Sequence, residues 1–197
     1  AHKLMRKVWQ DMPSSGDIGG KRWGEVADNV NDNYFFIDMD KYNLESVLRK
    51  GAELVKRKGI KCLVIDPFNK IRDINAASDD VNRYTMDYLS KIETFCRKYD
   101  VLTFIVAHPT KMYKGNNGKI EEPNMYNIKG GGEWYDASYH GLLVHRDYDA
   151  KTTKVKVLKV KFQNLGENGA ECYFTWEPRS GSFIPETVVE TEDMPWE

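Results

Sequence analysis

Two short apolar segments, each followed by a polar residue, constrain the fold of this chain more than any other feature. Residues 61–66 have the sequence KCLVID and residues 101–108 have the sequence VLTFIVAH. Apolar runs of this length are typical of parallel strands that are buried on both faces. Ligands of open α/β sheets bind beyond the carboxyl ends of such strands. We therefore predict that Asp66 and His108 lie at the same edge of one parallel sheet.

The segments around these strands have the patterns of a parallel α/β unit. One helix is predicted from its N-cap Asn43 to Gly59, and another over residues 79–99. Residues 34–38, YFFID, have the composition of a third strand. The order strand, helix, strand, helix, strand is typical of α/β folds with a parallel sheet.

The second half of the chain has a different character. Residues 109–129 are rich in Lys, Gly, Asn and Glu, and a loop of this length is usually functional or disordered. Three strands are predicted at 140–146, 154–162 and 170–176, joined by two turns. Alternation places Lys159 and Lys161 on one face of the middle strand. That face is either an ordinary solvated face of an edge strand or a cationic surface that contacts a phosphate.

Composition limits the partners and the compartment. The chain has 197 residues, is 41% hydrophobic and carries a net charge of −1, so a DNA-binding surface would have to be local. Cys62, Cys96 and Cys172 lie in apolar stretches without CxxC spacing, which predicts buried free thiols in a reducing compartment. No apolar run reaches membrane length, and we expect a cytoplasmic protein without a membrane partner.

Asp66 and His108 are the leading candidates for chemistry. An Asp after four apolar residues is typical of a Walker B segment, in which the carboxylate binds Mg²⁺ beside a nucleotide, although many strands also end in an Asp that caps a loop. His108 precedes Pro109, Thr110 and Lys111, a context that suits a sensor of a γ-phosphate; the alternative is a structural hydrogen bond. A hydrolase that uses both residues as a metal pair is a third possibility, which lacks an evident third ligand.

Four segments, taken in order, resemble the RecA-like domain of hexameric replicative helicases, the group of the DnaB type, phage primase-helicases and Twinkle. They are the KCLVID segment, VLTFIVAHPTK at 101–111, the stretch from GGGE at 130–133 to LLVHRD at 142–147, and LKVKF at 158–162 with its following glycines. The resemblance covers residues 34–185. It implies an α/β fold of the P-loop NTPase class, with a RecA-like parallel-sheet core and C-terminal antiparallel strands or hairpins.

The resemblance also implies roles for individual residues. Asp66 would bind Mg²⁺, His108 would sense the γ-phosphate, and Asp136 and Arg146 would bind the nucleotide. Lys159 and Lys161 would form a finger that acts on the nucleotide of a neighbouring subunit. Single-stranded DNA would be held by the loop that carries Lys111, Lys114 and Lys119.

For the parent protein, the resemblance implies ATP or another NTP with Mg²⁺ as cofactors, single-stranded DNA as substrate and a hexameric ring of identical chains. It allows an N-terminal primase domain and favours the cytoplasm of a bacterium or a phage-infected cell. The chain contains no GxxxxGK[ST] motif and no Glu in the context of the family's catalytic Glu. We therefore expect a partial domain that lacks the P-loop, is truncated upstream and does not hydrolyse ATP alone.

We predict three parts: an N-terminal helix and loop at 1–33, the helicase core at 34–185 and an acidic tail at 186–197. The alternative to a motor is a non-catalytic module with a RecA-like fold that binds DNA or supports assembly.

Overall fold

The computed structural model describes residues 18–40, 42–71, 81–112 and 122–186. Within these ranges the chain forms two compact units, one of residues 31–141 and one that joins residues 18–30 to 142–186. Residues 1–17 of the predicted N-terminal helix and loop, and the acidic tail beyond residue 186, lie outside the described residues. The predicted boundaries after residues 33 and 185 stay predictions.

The described elements match the predicted order in part, with shifted ends; the strand expected at 34–38 is absent and one further strand is present. The α-helices are α1 (Lys21–Asn33), α2 (Leu44–Lys58), α3 (Val81–Tyr99) and α4 (Gly131–Ala137). The strands are β1 (Cys62–Ile65), β2 (Leu102–Ile105), β3 (His140–Asp147), β4 (Thr152–Val160), β5 (Glu171–Glu177) and β6 (Ser182–Pro185).

Local sequence signals determine both ends of α2. The Asn43 side chain accepts a hydrogen bond from the Ser46 amide at 2.8 Å, which satisfies one of the free donors of the first turn. Gly59 adopts a left-handed conformation with φ of 67°, and its amide donates to the Val55 carbonyl. The predicted N-cap and C-terminal glycine are therefore confirmed.

β1 and β2 pair in parallel, as predicted, with Leu63 opposite Thr103 and Ile65 opposite Ile105. Helices cover the face of the two strands that carries Leu63, Ile65 and Thr103. Leu63 and Ile65 are buried there, and the Cys96 thiol of α3 donates a hydrogen bond to Thr103 Oγ1 at 3.1 Å. The parallel pairing therefore positions the two strand ends beside each other.

The opposite face of the two strands is exposed, so burial on both faces was a wrong prediction for the described residues. Val64 is 59% exposed and Phe104, which pairs with it, is 48% exposed. Cys62 shares this face by alternation and is exposed, while Cys96 and Cys172 are half-buried. The thiols are free, as expected, but burial of all three is wrong: Cys62 is exposed because α2 and α3 pack on the other face of its strand, and the other two are only half-buried.

Residues 34–38 do not form the predicted strand. The chain runs there without regular structure, Phe36 is 67% exposed, and the Tyr42 hydroxyl donates to Asp38 at 3.0 Å. The composition indicated a strand, but no described strand pairs with this segment, and a strand needs a neighbour to satisfy its backbone groups.

The other unit contains the sheet β3-β4-β5-β6. The pairs β4–β5 and β5–β6 are antiparallel, with Val155 opposite Cys172 and Trp176 opposite Phe183. The three predicted strands are present. The fourth, β6, was not predicted, because a four-residue run after the turn at Gly181 carries a weak pattern. None of the described helices is long and apolar enough to span a bilayer.

Candidate functional site

The carboxyl ends of β1 and β2 bring the two leading candidates to one edge. Asp66 is the first residue after β1 and His108 is the third after β2. The backbone continues the pairing past the strands: the Val106 amide donates to the Ile65 carbonyl at 2.9 Å, and the Phe68 amide donates to the Val106 carbonyl at 3.0 Å. Both candidate side chains are exposed. We call Asp66 and His108 at this position the carboxyl edge.

The chemistry of the carboxyl edge suits a hydrated divalent cation better than a protein-enclosed metal. Asp66 offers one exposed carboxylate, and Mg²⁺ is commonly held by one or two carboxylates together with water and phosphate oxygens. Among the described ranges, no group of three or more His, Cys, Asp or Glu side chains is placed to hold a metal ion. A magnesium ion at this edge would therefore take most of its ligands from nucleotide and water.

The loop that follows His108 returns to a fixed base beside the same edge. Thr110 donates its amide to the Asn127 carbonyl at 2.7 Å, and Pro109 forms an isolated antiparallel bridge with Ile128. We call these four residues the loop base. Lys111 follows the base directly and is exposed.

A capping box stabilises the returning side of that loop. The Asn124 side chain accepts from the Tyr126 amide at 2.9 Å, and the Asn127 side chain accepts from the Asn124 amide at 2.7 Å. This local structure keeps the loop base in a defined position. Lys114 and Lys119, which were also predicted to contact DNA, lie outside the described residues.

Three glycines join the loop base to α4, and two of them are required by close contacts. Gly130 has φ of +84°, and a Cβ there would come within 2.5 Å of Thr85 Oγ1. A Cβ on Gly131 would overlap the backbone of Tyr126, whereas Gly132 has no atom within 4 Å of that position. At the GGGE motif, the start of α4 therefore packs at close range against Thr85 of α3 and against Tyr126, which directly precedes Asn127 of the loop base. Asp136, a predicted nucleotide contact, lies exposed near the end of α4.

Beneath the carboxyl edge lies an aromatic cluster of Phe68, Tyr88 and Trp134, which sequence reasoning missed. Phe68 packs edge-to-face on Tyr88 at 4.8 Å and on Trp134 at 4.9 Å between ring centroids. All three side chains are buried. The buried Tyr88 hydroxyl has no hydrogen-bond partner among the described residues, and desolvation raises the pKa of Tyr88 well above its ordinary value.

The predicted cationic residues of the finger lie in the other unit. Lys159 is on β4 and is half-buried, but β4 ends at Val160, so Lys161 lies exposed in the bend that follows. The prediction that both lysines share one strand face is wrong, because β4 ends at Val160, one residue before Lys161. The finger role itself stays a prediction.

Arg146 and a nearby charged cluster have partners within their own sheet. Arg146 Nη1 donates to Thr153 Oγ1 at 2.9 Å, so the predicted nucleotide contact already has a structural partner. Glu171 accepts from Lys156 at 2.8 Å and lies 3.5 Å from Lys154. The hydrogen bond from Lys156, followed by that from the Tyr173 hydroxyl, lowers the pKa of Glu171 to about 2. Sequence alone gave no signal for this cross-strand cluster.

A cleft of about 590 Å³ lies between α2 and α3 and does not include the carboxyl edge. Leu48 and Phe95 are among the apolar side chains that line it, and Lys56 and Lys98 are among the cations. Neither Asp66 nor His108 lines this cleft, so the cleft is not the candidate site. We assign the candidate chemistry to the carboxyl edge, where the sheet topology brings these two titratable groups together.

Comparisons with known proteins agree with this architecture. The chain matches no protein-family model. The Twinkle homolog protein, chloroplastic/mitochondrial, of Arabidopsis thaliana is 28% identical over 184 residues, which cover 89% of this chain and 24% of that protein. The chain therefore spans about a quarter of the length of this curated relative.

Two solved structures share the fold at low sequence identity. One is an ATPase domain that aligns with a TM-score of 0.70 at 12% identity and covers 94% of this chain and 69% of that chain. The other is a DnaB-like replicative helicase, described with its interactions with primase, with a TM-score of 0.67 at 13% identity over 92% of this chain and 46% of that chain.

The fold is that of RecA-like ATPase domains, as predicted from the sequence. Together with the Twinkle likeness, it supports a RecA-like domain of the replicative-helicase type.

Proposed function

We propose that this chain is the C-terminal part of a nucleotide-driven replicative DNA helicase, which moves along single-stranded DNA as a hexameric ring. The observation that carries this proposal is the parallel register of β1 and β2, which puts Asp66 and His108 at one carboxyl edge. Likeness to a DnaB-like replicative helicase and to a Twinkle homolog supports the same assignment.

In this proposal, the exposed carboxylate of Asp66 would hold Mg²⁺, and the ion would supply positive charge beside the phosphates of ATP or another NTP. His108 senses the γ-phosphate from the neighbouring strand end. Its backbone leads within two residues to the loop base, so a change at the imidazole has a short path to the loop. Asp136 contributes a further contact to the nucleotide.

Lys159 and Lys161 stabilise transition-state charge on the nucleotide of an adjacent subunit. Arg146, whose guanidinium donates to Thr153, contributes a contact to the nucleotide. Lysine is a point charge without the planar fork of arginine, so the contact is less directional than an arginine finger. This role requires assembly of several copies.

Single-stranded DNA binds the loop that begins at Lys111 and carries Lys114 and Lys119. The support is the fixed loop base, which presents this lysine-rich segment beside the proposed sensor. Lysine contacts to phosphates carry no base information, so binding is expected to be independent of sequence.

The partners of the parent are therefore single-stranded DNA and further copies of itself, with a primase domain as an additional proposed part. The DnaB-like neighbour is described with its interactions with primase. The plant relative is chloroplastic/mitochondrial by name, so the cytoplasm of a bacterium or phage-infected cell stays a proposal.

The second candidate is a non-catalytic module for DNA binding or assembly. The 197-residue sequence contains no GxxxxGK[ST] motif, and that motif supplies the phosphate-binding backbone and lysine of P-loop enzymes. In either case we expect this chain alone to hydrolyse no ATP. The two candidates differ in whether the full parent protein is an enzyme.

The test is Mg²⁺-dependent ATP hydrolysis and forked-duplex unwinding by the full parent carrying Asp66→Asn, compared with Asp100→Asn. Asp100 is a matched control: it is exposed at the opposite end of the sheet, pairs loosely with Lys61 at 3.4 Å, and has φ of 52°, which asparagine tolerates. We expect loss of about 100-fold or more in hydrolysis for Asp66→Asn and no change for Asp100→Asn.

Equal rates of ATP hydrolysis in Asp66→Asn and Asp100→Asn would show that Asp66 does not hold the magnesium ion. A wild-type parent that binds single-stranded DNA but neither hydrolyses ATP nor unwinds a fork would favour the non-catalytic module.

A further inference from the structure

The aromatic cluster connects the carboxyl edge to the interior of the unit through Phe68. This residue begins the short 3₁₀ turn two positions after Asp66, and its amide is bonded to the Val106 carbonyl of the neighbouring strand at 3.0 Å. Its ring is only 8% exposed and packs edge-to-face on two other aromatic rings. Close packing of buried rings therefore places the backbone after Asp66 in contact with this cluster.

Trp134 connects the same cluster to the loop base. Its indole Nε1–H donates to the Lys129 carbonyl at 3.1 Å, and its side chain is 3% exposed. Lys129 follows Ile128 of the loop base and precedes Gly130, whose left-handed backbone starts α4. This hydrogen bond therefore ties the indole to the backbone immediately after the loop base.

We propose that the Phe68–Trp134 contact is a positioning link that couples nucleotide occupancy at the carboxyl edge to the conformation of the loop base. The inference rests on the proposed function and adds a route to it that does not pass through His108. Metal and phosphate at Asp66 bias the 3₁₀ turn, Phe68 transfers the bias to Trp134, and the indole hydrogen bond transfers it to Lys129. Coupling of binding sites is reciprocal, so DNA at the loop changes nucleotide affinity by the same factor.

The experiment measures this coupling as a ratio in the full parent protein. The dissociation constant of a fluorescent single-stranded oligonucleotide is measured without and with a saturating non-hydrolysable ATP analogue and Mg²⁺. The quotient of the two constants is the coupling ratio. Basal ATP hydrolysis and thermal unfolding are recorded for every variant.

Trp134→Phe is the primary variant, because it keeps a ring in the cluster but removes the donor to the Lys129 carbonyl. Phe68→Leu is the second variant and removes the edge-to-face contact from the other side. We expect each to move the coupling ratio toward one by about 2- to 30-fold, while basal hydrolysis stays within about twofold of wild type.

Phe95→Leu is the matched control for loss of a buried aromatic ring. Phe95 is 5% exposed on the same helix as Tyr88, but it packs on Tyr99 at 5.1 Å and beside Gly51. We expect it to lower thermal stability and to leave the coupling ratio unchanged.

Wild-type coupling ratios in both Trp134→Phe and Phe68→Leu would overturn the inference, as would an equal loss of coupling in Phe95→Leu. A wild-type parent that binds neither nucleotide nor DNA would overturn the proposed function itself. The two failures are therefore distinguishable.

Discussion

The three adjacent glycines before and within α4 provide a graded test of the packing that joins the loop base to α3. Gly130→Ala introduces a Cβ that meets Thr85 Oγ1 at 2.5 Å and holds alanine at φ of +84°. The left-handed backbone costs a non-glycine residue about 1–2 kcal/mol, and overpacking adds about 1–3 kcal/mol. We expect a loss of about 2–5 kcal/mol in the free energy of unfolding.

The neighbouring positions set the scale for this loss. Gly131→Ala places its Cβ against backbone atoms of Tyr126, which cannot rotate away, so its loss is expected to be at least as large. Gly132→Ala meets no atom within 4 Å and replaces a helical glycine, so we expect no loss and a gain of up to about 1 kcal/mol.

The assay is urea unfolding of the 197-residue chain, followed by tryptophan fluorescence. Two results would contradict this prediction. One is a loss of under about 0.5 kcal/mol in the free energy of unfolding of Gly130→Ala, which is the range of a neutral surface change. The other is an equal loss in Gly130→Ala and Gly132→Ala. Either result would mean that α4 does not approach α3 as closely as described.

Three further predictions concern charge and capping. The native pKa of Glu171, about 2, lies below the ordinary value of 4.5, so this carboxylate contributes stability above pH 4.5 that is lost as the pH falls toward 2. Acid unfolding monitored by circular dichroism should lose this component in Glu171→Gln. A pH profile of unfolding that is unchanged in the variant would contradict the prediction. Asn43→Ala should cost about 1 kcal/mol in urea unfolding, because the Ser46 amide loses its acceptor, whereas Asn43→Ser should recover most of the loss. Neutralising Lys111, Lys114 and Lys119 in the full parent should reduce the slope of log affinity for single-stranded DNA against log salt by about 2; an unchanged slope would exclude these lysines from the backbone contacts.

The features predicted correctly from the sequence depend on local pattern. Apolar runs ending in Asp66 and in the segment before His108 were enough to predict two parallel strands with a shared carboxyl edge. Asn43 and Gly59 predicted the ends of α2, because capping is determined by side chains within a few residues. Such signals do not require knowledge of the tertiary structure.

The features that were missed or mispredicted depend on distant partners. Residues 34–38 have the composition of a strand but pair with no described strand, and the apolar face around Val64 is exposed because helices cover only the other side. The aromatic cluster joins Phe68, Tyr88 and Trp134, and its first and last members are 66 positions apart in the sequence. No local pattern could therefore indicate it. Lys161 falls outside β4, which ends at Val160, although the alternating pattern continues to residue 162.

Nucleotide and Mg²⁺ are proposed to bind at the carboxyl edge defined by Asp66 and His108. The most direct test is a cryo-electron microscopy structure of the full parent with Mg²⁺ and a non-hydrolysable ATP analogue. We predict that the Asp66 carboxylate binds Mg²⁺ directly, at about 2.1 Å, or through one water molecule, with His108 facing the γ-phosphate. Nucleotide bound at the opposite end of the sheet, near Lys61 and Asp100, would contradict the account.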